Sequence, residues 1–143
     1  MKTARTTDAG TSSDDVGKLL LRVTLAILIL VHGISKVIGG VAVVSALLMK
    51  AGLPPALAFA VYVGEVAAPI CILIGVWTRA AALIVAINMV VAVSLAKAGQ
   101  FFAISKTGGW ALELEGMYFM AALAIAWLGA GRYSLGSIHG RWN

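Results

Sequence analysis

The sequence predicts an all-α integral membrane protein, a four-helix bundle with its N- and C-termini in the cytoplasm. Hydrophobic residues make up 61% of the 143 residues and charged residues only 12%, whereas soluble domains have about 45–50% apolar and about 25% charged residues. Four apolar stretches are long enough to cross a bilayer, which takes about 20 helical residues. When the chain is threaded through the membrane in this way, all the arginines fall on the side that also holds both termini. Basic residues are typical of cytoplasmic loops, so this side is predicted to be the cytoplasm.

Residues that end helices separate the four predicted spans. The spans cover about 18–38, 56–77, 79–96 and 110–128. Gly39-Gly40 ends the first span, and Pro54-Pro55 introduces the second because proline suits the first turn of a helix. The spans form one transmembrane domain over residues 18–135. Residues 1–17 are predicted to be a disordered polar tail, and residues 136–143 a C-terminal tail.

The charge pattern and the motifs that are missing from the sequence exclude several function classes. The net charge is +5, but the basic residues are scattered, which indicates membrane flanks and no nucleic-acid partner. The single cysteine, Cys71, excludes an intramolecular disulfide and a cysteine-rich metal site. His32 is the one histidine inside a span, so no metal site is expected. The sequence has no glycine motif for dinucleotides or phosphates, and no covalently bound cofactor is expected.

Several polar residues fall inside the predicted spans, where an ionisable side chain costs about 2.5–3.5 kcal/mol by insertion scales. They are His32, Lys36, Glu65, Asn88 and Glu113. At a rise of about 1.5 Å per residue, all of them lie in the outer half of the bilayer. Such a network is suited to binding a polar headgroup or to relaying protons. A quinone fits, because its carbonyls accept hydrogen bonds and its tail lies in lipid. The alternative is a structural ion pair of Lys36 with Glu65 or Glu113.

The last span contains two carboxylates that cannot both face inward. Glu113 and Glu115 are about 200° apart on a helix. We assign Glu113 to the inner face, together with Gly116, Met117 and Met120. Glu115 is then expected to extend to the outer interface.

Five short motifs, taken in their order along the chain, resemble those of the DoxX family. They are Leu20-Leu21-Arg22 through His32-Gly33-Ile34-Ser35-Lys36, then Gly64-Glu65, then Ile74-Gly75-Val76-Trp77-Thr78-Arg79, then Gly108-Gly109-Trp110 with Glu113 and Tyr118, and lastly Gly131-Arg132-Tyr133-Ser134-Leu135. The resemblance covers about residues 18–135. It departs from the family pattern at Gly136, which replaces a closing Asp, and at Ala111-Leu112, which are inserted before Glu113.

The resemblance implies a multi-pass protein of the bacterial inner (cytoplasmic) membrane. Related members form the membrane subunit of thiosulfate:quinone oxidoreductase, and others join superoxide dismutase and a sulfurtransferase in a thiol-redox complex. We therefore expect the membrane subunit of a redox complex that binds quinone or a similar small molecule, with electrons supplied by a partner protein. A homo-oligomer is a further expectation. The structural or anchoring residues are then Arg22, Arg79, Arg132 and Tyr118.

Two other functions stay open at this stage, and so does the question of whether the protein is an enzyme. The lack of cofactor motifs also suits a non-catalytic scaffold that docks soluble partner proteins. The polar cluster also suits a small transporter or a proton conduit, although four helices are few for alternating access and no pair of broken helices is evident.

Overall fold

The computed structural model describes residues 8–106, 108–136 and 142–143, and this part of the chain is helical without a β-strand. The α-helices are α1 (Asp8–Gly39), α2 (Ala42–Lys50), α3 (Ala68–Ile74), α4 (Thr78–Ala96) and α5 (Glu113–Leu128). Pro55–Ala60 and Ala98–Gln100 are 3₁₀ turns, and Val63–Ala67 is a π-helical turn. An isolated β-bridge joins Ile104 and Trp110.

Three helical segments are long and apolar enough to cross a membrane. They are Ser13–Gly39, Pro55–Ile74 and Thr78–Ala96, which agrees with the first three predicted spans. Helix α5 has 16 residues and is therefore about 24 Å long, so the fourth span stays a prediction. The predicted start at residue 110 is corrected to Glu113, because the bridge to Ile104 holds Trp110 in an extended conformation.

The N-terminal boundary of the predicted bundle is also corrected. Helix α1 begins at Asp8, so the predicted disordered tail is helical from that residue onward, and residues 1–7 lie outside the described chain. Contacts of the Asp15 side chain explain in part why this segment is structured. Its Oδ1 accepts a hydrogen bond from the Arg132 backbone nitrogen at 3.1 Å, and its Oδ2 lies 3.7 Å from Arg132 Nε. This contact ties the start of α1 to the segment that follows α5.

Two further differences lie in the segments that connect the spans. Helix α2 lies in the stretch between the first two spans, where no helix was predicted. The second span ends at Ile74 and not at Trp77, because Gly75 and Trp77 have left-handed φ values of 75° and 48°. This tight turn makes α3 and α4 antiparallel neighbours. Of the predicted C-terminal tail, residues 137–141 lie outside the described chain.

The core is built from small side chains at the helix crossings. Helix α4 packs along α5, while α1 packs against α3 and α5. Ala26, Ala82 and Ala122 are fully buried at these crossings, and their small size lets the helix backbones approach closely. Large apolar side chains such as Ile87 and Trp127 face outward with exposed fractions of 63% and 85%. An apolar outer surface of this kind suits contact with lipid.

Candidate functional site

The Glu65 carboxylate lies at the centre of the candidate site, with 6% of its side chain exposed. Lys36 Nζ donates a hydrogen bond to Glu65 Oε2, and Asn88 Nδ2 donates one to Oε1 at 3.4 Å. The two donors come from α1 and α4, while Glu65 lies on the π-helical turn between them. We call Lys36, Glu65 and Asn88 the polar centre. Each of the three was predicted as a site residue from the sequence.

The π-helical turn gives Glu65 its position. Pro69 has no backbone N–H to donate to the Glu65 carbonyl four residues earlier, so the regular α-helical ladder cannot continue through this point. Two glycines allow the neighbouring helices to come close. A Cβ on Gly33 of α1 would lie 2.2 Å from the Glu65 carbonyl oxygen, and a Cβ on Gly64 would lie 2.6 Å from Asn88 Cγ. Side chains at these glycines would push α1 and α4 away from Glu65.

An apolar groove of about 510 Å³ opens on one side of the polar centre. We call it the α2 groove, because Val44 and Leu47 of α2 form one wall and Ile84 and Val91 of α4 form another. Lys36, Glu65 and Asn88 are the polar residues that line it. The groove is therefore apolar except where the three residues of the polar centre line it.

A smaller cavity of about 160 Å³ lies on the other side of the polar centre. His32, Tyr118 and Glu115 line it together with Lys36 and Glu65. The His32 and Tyr118 rings meet edge to face with centroids 6.2 Å apart. His32 Nδ1 donates a hydrogen bond to the Leu28 carbonyl of its own helix at 2.9 Å. His32 thus borders the site, while its hydrogen bond fixes the ring on α1.

The inward assignment of Glu113 is corrected by the structure. Glu113 is exposed, and its carboxylate lies against Gly109 in the preceding loop. Met117 and Met120, predicted for the same inner face, are 69% and 61% exposed. Glu115 faces inward instead and pairs with Lys97, whose Nζ lies 2.6 Å from Glu115 Oε1. The face of α5 that is buried is the one that carries Glu115 and, two turns later, the buried Ala122.

Arg22 is buried but lies apart from this site, at the opposite end of α1. Its Nε donates to the Ile72 carbonyl at 3.0 Å and its Nη2 to the Leu73 carbonyl at 3.2 Å. Its Nη1 donates to the Tyr133 carbonyl at 3.1 Å and to the Ala130 carbonyl. These are the free carbonyls at the end of α3 and in the segment after α5. Arg22 therefore joins three parts of the chain.

The other predicted anchoring residues lie at the same end as Arg22, with one exception. Arg79 Nε donates to the Asn143 backbone oxygen at 3.1 Å. Arg132, with 66% of its side chain exposed, contacts Asp15. Tyr118 is the exception, because it packs on His32 at the site. Lys97 and an inward-facing Glu115 were not predicted from the sequence. Glu115 lies two helical turns before the apolar, buried Ala122, and this spacing is the signal that places both on one face of α5.

The comparisons with known proteins identify a family. The DoxX family model matches residues 17–98, more than half of the chain. The chain belongs to the DoxX family. The DoxX match contains the whole polar centre but ends before α5, so Glu115 lies outside it. No curated protein and no solved structure matches this DoxX chain. Together with the three apolar helices, the family match makes this protein a multi-pass DoxX membrane protein.

The polar side chains of this DoxX chain do not form a cluster of metal-binding groups within the part that the structure describes. Within the described residues, no three His, Cys, Asp or Glu side chains come together in a group that could hold a metal. The hydrogen-bonding groups of the polar centre are an ammonium, a carboxylate and an amide. This set is suited to the recognition of an organic headgroup by hydrogen bonds.

Proposed function

We propose that this protein binds a quinone, with the quinone carbonyl at the polar centre and the tail in the α2 groove. The observation that carries the proposal is that the Lys36 ammonium, held by buried Glu65, lines an otherwise apolar groove of about 510 Å³. Ligand sites of this kind are mostly apolar, with a few polar groups that set the orientation of the ligand.

The hydrogen-bond donors of the Lys36 ammonium favour a headgroup that accepts hydrogen bonds. A lysine ammonium has three donors, and within the described chain Glu65 takes one of them. The remaining donors match the carbonyl oxygen of a quinone. Glu65 accepts from both Lys36 and Asn88, so its role is to fix and to neutralise the ammonium in a region where an unpaired charge is costly.

The proposal extends to a role in a redox complex. The sequence has a single cysteine and no dinucleotide motif, so the electrons that reduce a bound quinone come from a partner protein in this proposal. We accordingly propose that the chain is the quinone-binding membrane subunit of such a complex in the bacterial inner membrane. The family membership supports the membrane location, and the polar centre supports the ligand class.

The test is direct binding to the full chain in lipid nanodiscs. Decylubiquinone is the probe, and decylbenzene, which has the same tail but no carbonyl, is the control for partition into lipid. Empty nanodiscs supply the background. Isothermal titration calorimetry should show saturable binding of decylubiquinone with at least about tenfold preference over decylbenzene, as expected when a hydrogen bond to a charged group is lost.

Two variants test whether the preference for the quinone depends on the polar centre. Lys36→Met/Glu65→Met removes both charges together and avoids leaving one buried without a partner. It should lose the preference for the quinone. Lys50→Met, at the exposed end of α2, is the matched control and should keep the preference. Equal binding of the two probes to the native protein would reject the proposal, as would full quinone preference in the double variant. Equal binding of the two probes would leave the Lys36–Glu65 contact as a structural ion pair, the alternative given in the sequence analysis.

A further inference from the structure

The connection between α4 and α5 folds back beside the start of α5. Ile104 and Trp110 form an isolated β-bridge within it. The Trp110 ring lies against Gly116, because a Cβ on that glycine would lie 2.8 Å from Trp110 Cζ3. Gly116 is three residues, or about 4.5 Å, inside the start of α5. We call residues 98–106 and 108–112 the aromatic hairpin, after three of its side chains, Phe101, Phe102 and Trp110.

Large apolar side chains of the aromatic hairpin point away from the helices. Phe102 is 93% exposed and Ile104 is 76% exposed, and the Phe101 side chain beside them is exposed as well. The charged residue of the hairpin is Lys106. Apolar side chains gain free energy when they leave water, so this surface is suited to an apolar partner.

Hydrogen bonds within the aromatic hairpin satisfy several of its polar groups. Ala111 N donates to the Ala103 carbonyl at 3.0 Å, and Trp110 Nε1 donates to the Phe101 carbonyl at 2.7 Å. Bare irregular backbone is not tolerated in the hydrocarbon region of a bilayer. A hairpin that pairs its own polar groups and carries aromatic rings suits the boundary between headgroups and acyl chains, where tryptophan side chains collect.

The lengths of α4 and α5 place the aromatic hairpin at a membrane surface. Helix α4 is long and apolar enough to cross the bilayer, and the hairpin follows its last residue, Ala96. Helix α5 packs along α4, but its 16 residues extend only about 24 Å, less than the hydrocarbon thickness of about 30 Å. An apolar hairpin beside the start of α5 makes up this difference.

The other connection at this end of the bundle is apolar as well. Helix α2 lines the same groove as Leu95 and Ala96 at the end of α4. Its Val43 and Met49 side chains are exposed, and its charged residue is Lys50 at the last position. A lysine stem can lie along apolar surface while its ammonium reaches water, so this end of the molecule suits the boundary region of a bilayer.

We propose that the aromatic hairpin is embedded in the bilayer interface, where Phe101, Phe102 and Ile104 contact lipid acyl chains. Lys106 extends to the headgroups of the same leaflet. The partner that this surface fits is therefore lipid and not a soluble protein. The proposal concerns the α4–α5 connection, whereas the quinone proposal concerns the polar centre.

Nitroxide spin labels on the full chain in phospholipid vesicles measure the depth of the hairpin. Cys71→Ser removes the single native thiol, and Phe102→Cys then carries the label. Met120→Cys on the exposed face of α5 and Asp14→Cys at the exposed start of α1 are the lipid and water references. Oxygen concentrates in lipid and a nickel chelate in water, so the ratio of their collision rates at Phe102→Cys should be close to the Met120→Cys value. A ratio equal to that at Asp14→Cys, or protection from both reagents as in a protein contact, would overturn the proposal.

A matched pair of cysteine variants tests the same hairpin by its chemistry. A charged, membrane-impermeant maleimide reacts with the thiolate, which an apolar environment disfavours. In vesicles with the Cys71→Ser background, Phe102→Cys should react at least about tenfold more slowly than Lys106→Cys, as expected when the thiol pKa rises by about one unit or more. Both positions lie on one hairpin, so the orientation of the protein in the vesicles does not affect this ratio.

Denaturation in detergent is the control for the labelling experiment, because it should make the two rates equal. Equal rates in intact vesicles would overturn the proposal. These measurements need no quinone and alter no residue of the polar centre, so their result is independent of the quinone proposal.

Discussion

The α-carbon of Gly33 packs directly against the carbonyl oxygen of Glu65, so closely that a methyl group on Gly33 would lie 2.2 Å from that oxygen. This contact joins α1 to the π-helical turn at the point where Pro69 leaves the Glu65 carbonyl without its usual partner. A Cα–H donor of this kind is a weak partner for a carbonyl. The contact brings α1 close to the turn that carries Glu65. Three stability predictions concern this contact, the Lys36–Glu65 ion pair beside it, and the Arg22 anchor at the other end of α1.

Gly33→Ala is expected to destabilise the protein by about 1–3 kcal/mol, the usual cost of overpacking a close helix contact. The matched control is Gly17→Ala, which lies on the same helix and has no atom within 4 Å of the added methyl group. That control should be neutral or gain up to about 1 kcal/mol from helix propensity. Thermal unfolding in detergent, followed by circular dichroism, measures both. Equal unfolding temperatures for the two variants would contradict the close contact.

Lys36→Met alone should be more damaging than Lys36→Met/Glu65→Met. The single variant leaves the Glu65 carboxylate, with 6% of its side chain exposed, without its cation. The cost for a fully buried pair is about 3–5 kcal/mol, and about 2–3 kcal/mol is expected here because 28% of the Lys36 side chain is exposed. Replacing both residues should recover most of this loss. Denaturant unfolding of the native protein, of Lys36→Met and Glu65→Met separately, and of the double variant gives the coupling energy. Additive losses would show that the two side chains do not interact.

Arg22→Lys is expected to destabilise the protein by about 2–4 kcal/mol although it keeps the charge. The guanidinium contacts carbonyls of α3 and of the segment after α5 simultaneously, and a lysine ammonium cannot reproduce this planar set of donors. The result should be a lower unfolding temperature and faster protease cleavage after α5. Arg132→Lys, at an exposed position, should change stability by less than about 1 kcal/mol. If the two variants behave alike, Arg22 does not anchor this segment.

Much of the polar centre could be predicted from the sequence because charged groups are rare in apolar spans. Lys36, Glu65 and Asn88 were each conspicuous for this reason, and counting the helical rise placed them at a common depth. The inward-facing carboxylate of α5 could not be chosen in this way. Glu113 and Glu115 differ by about 200° around the helix, and the choice depends on which face packs against α4. That packing places Glu115 beside Lys97 and leaves Glu113 exposed.

Composition and hydrophobic pattern alone determined that this chain is helical, that it has spans long enough for a membrane, and that a few polar residues interrupt them. Those properties are local, since every backbone group in lipid must find its partner within its own helix. Only the tertiary structure decided that Asp15 joins Arg132, that Arg22 caps the end of α3, and that Glu115 pairs with Lys97. These contacts link residues far apart in the chain, so their geometry depends on how the helices pack.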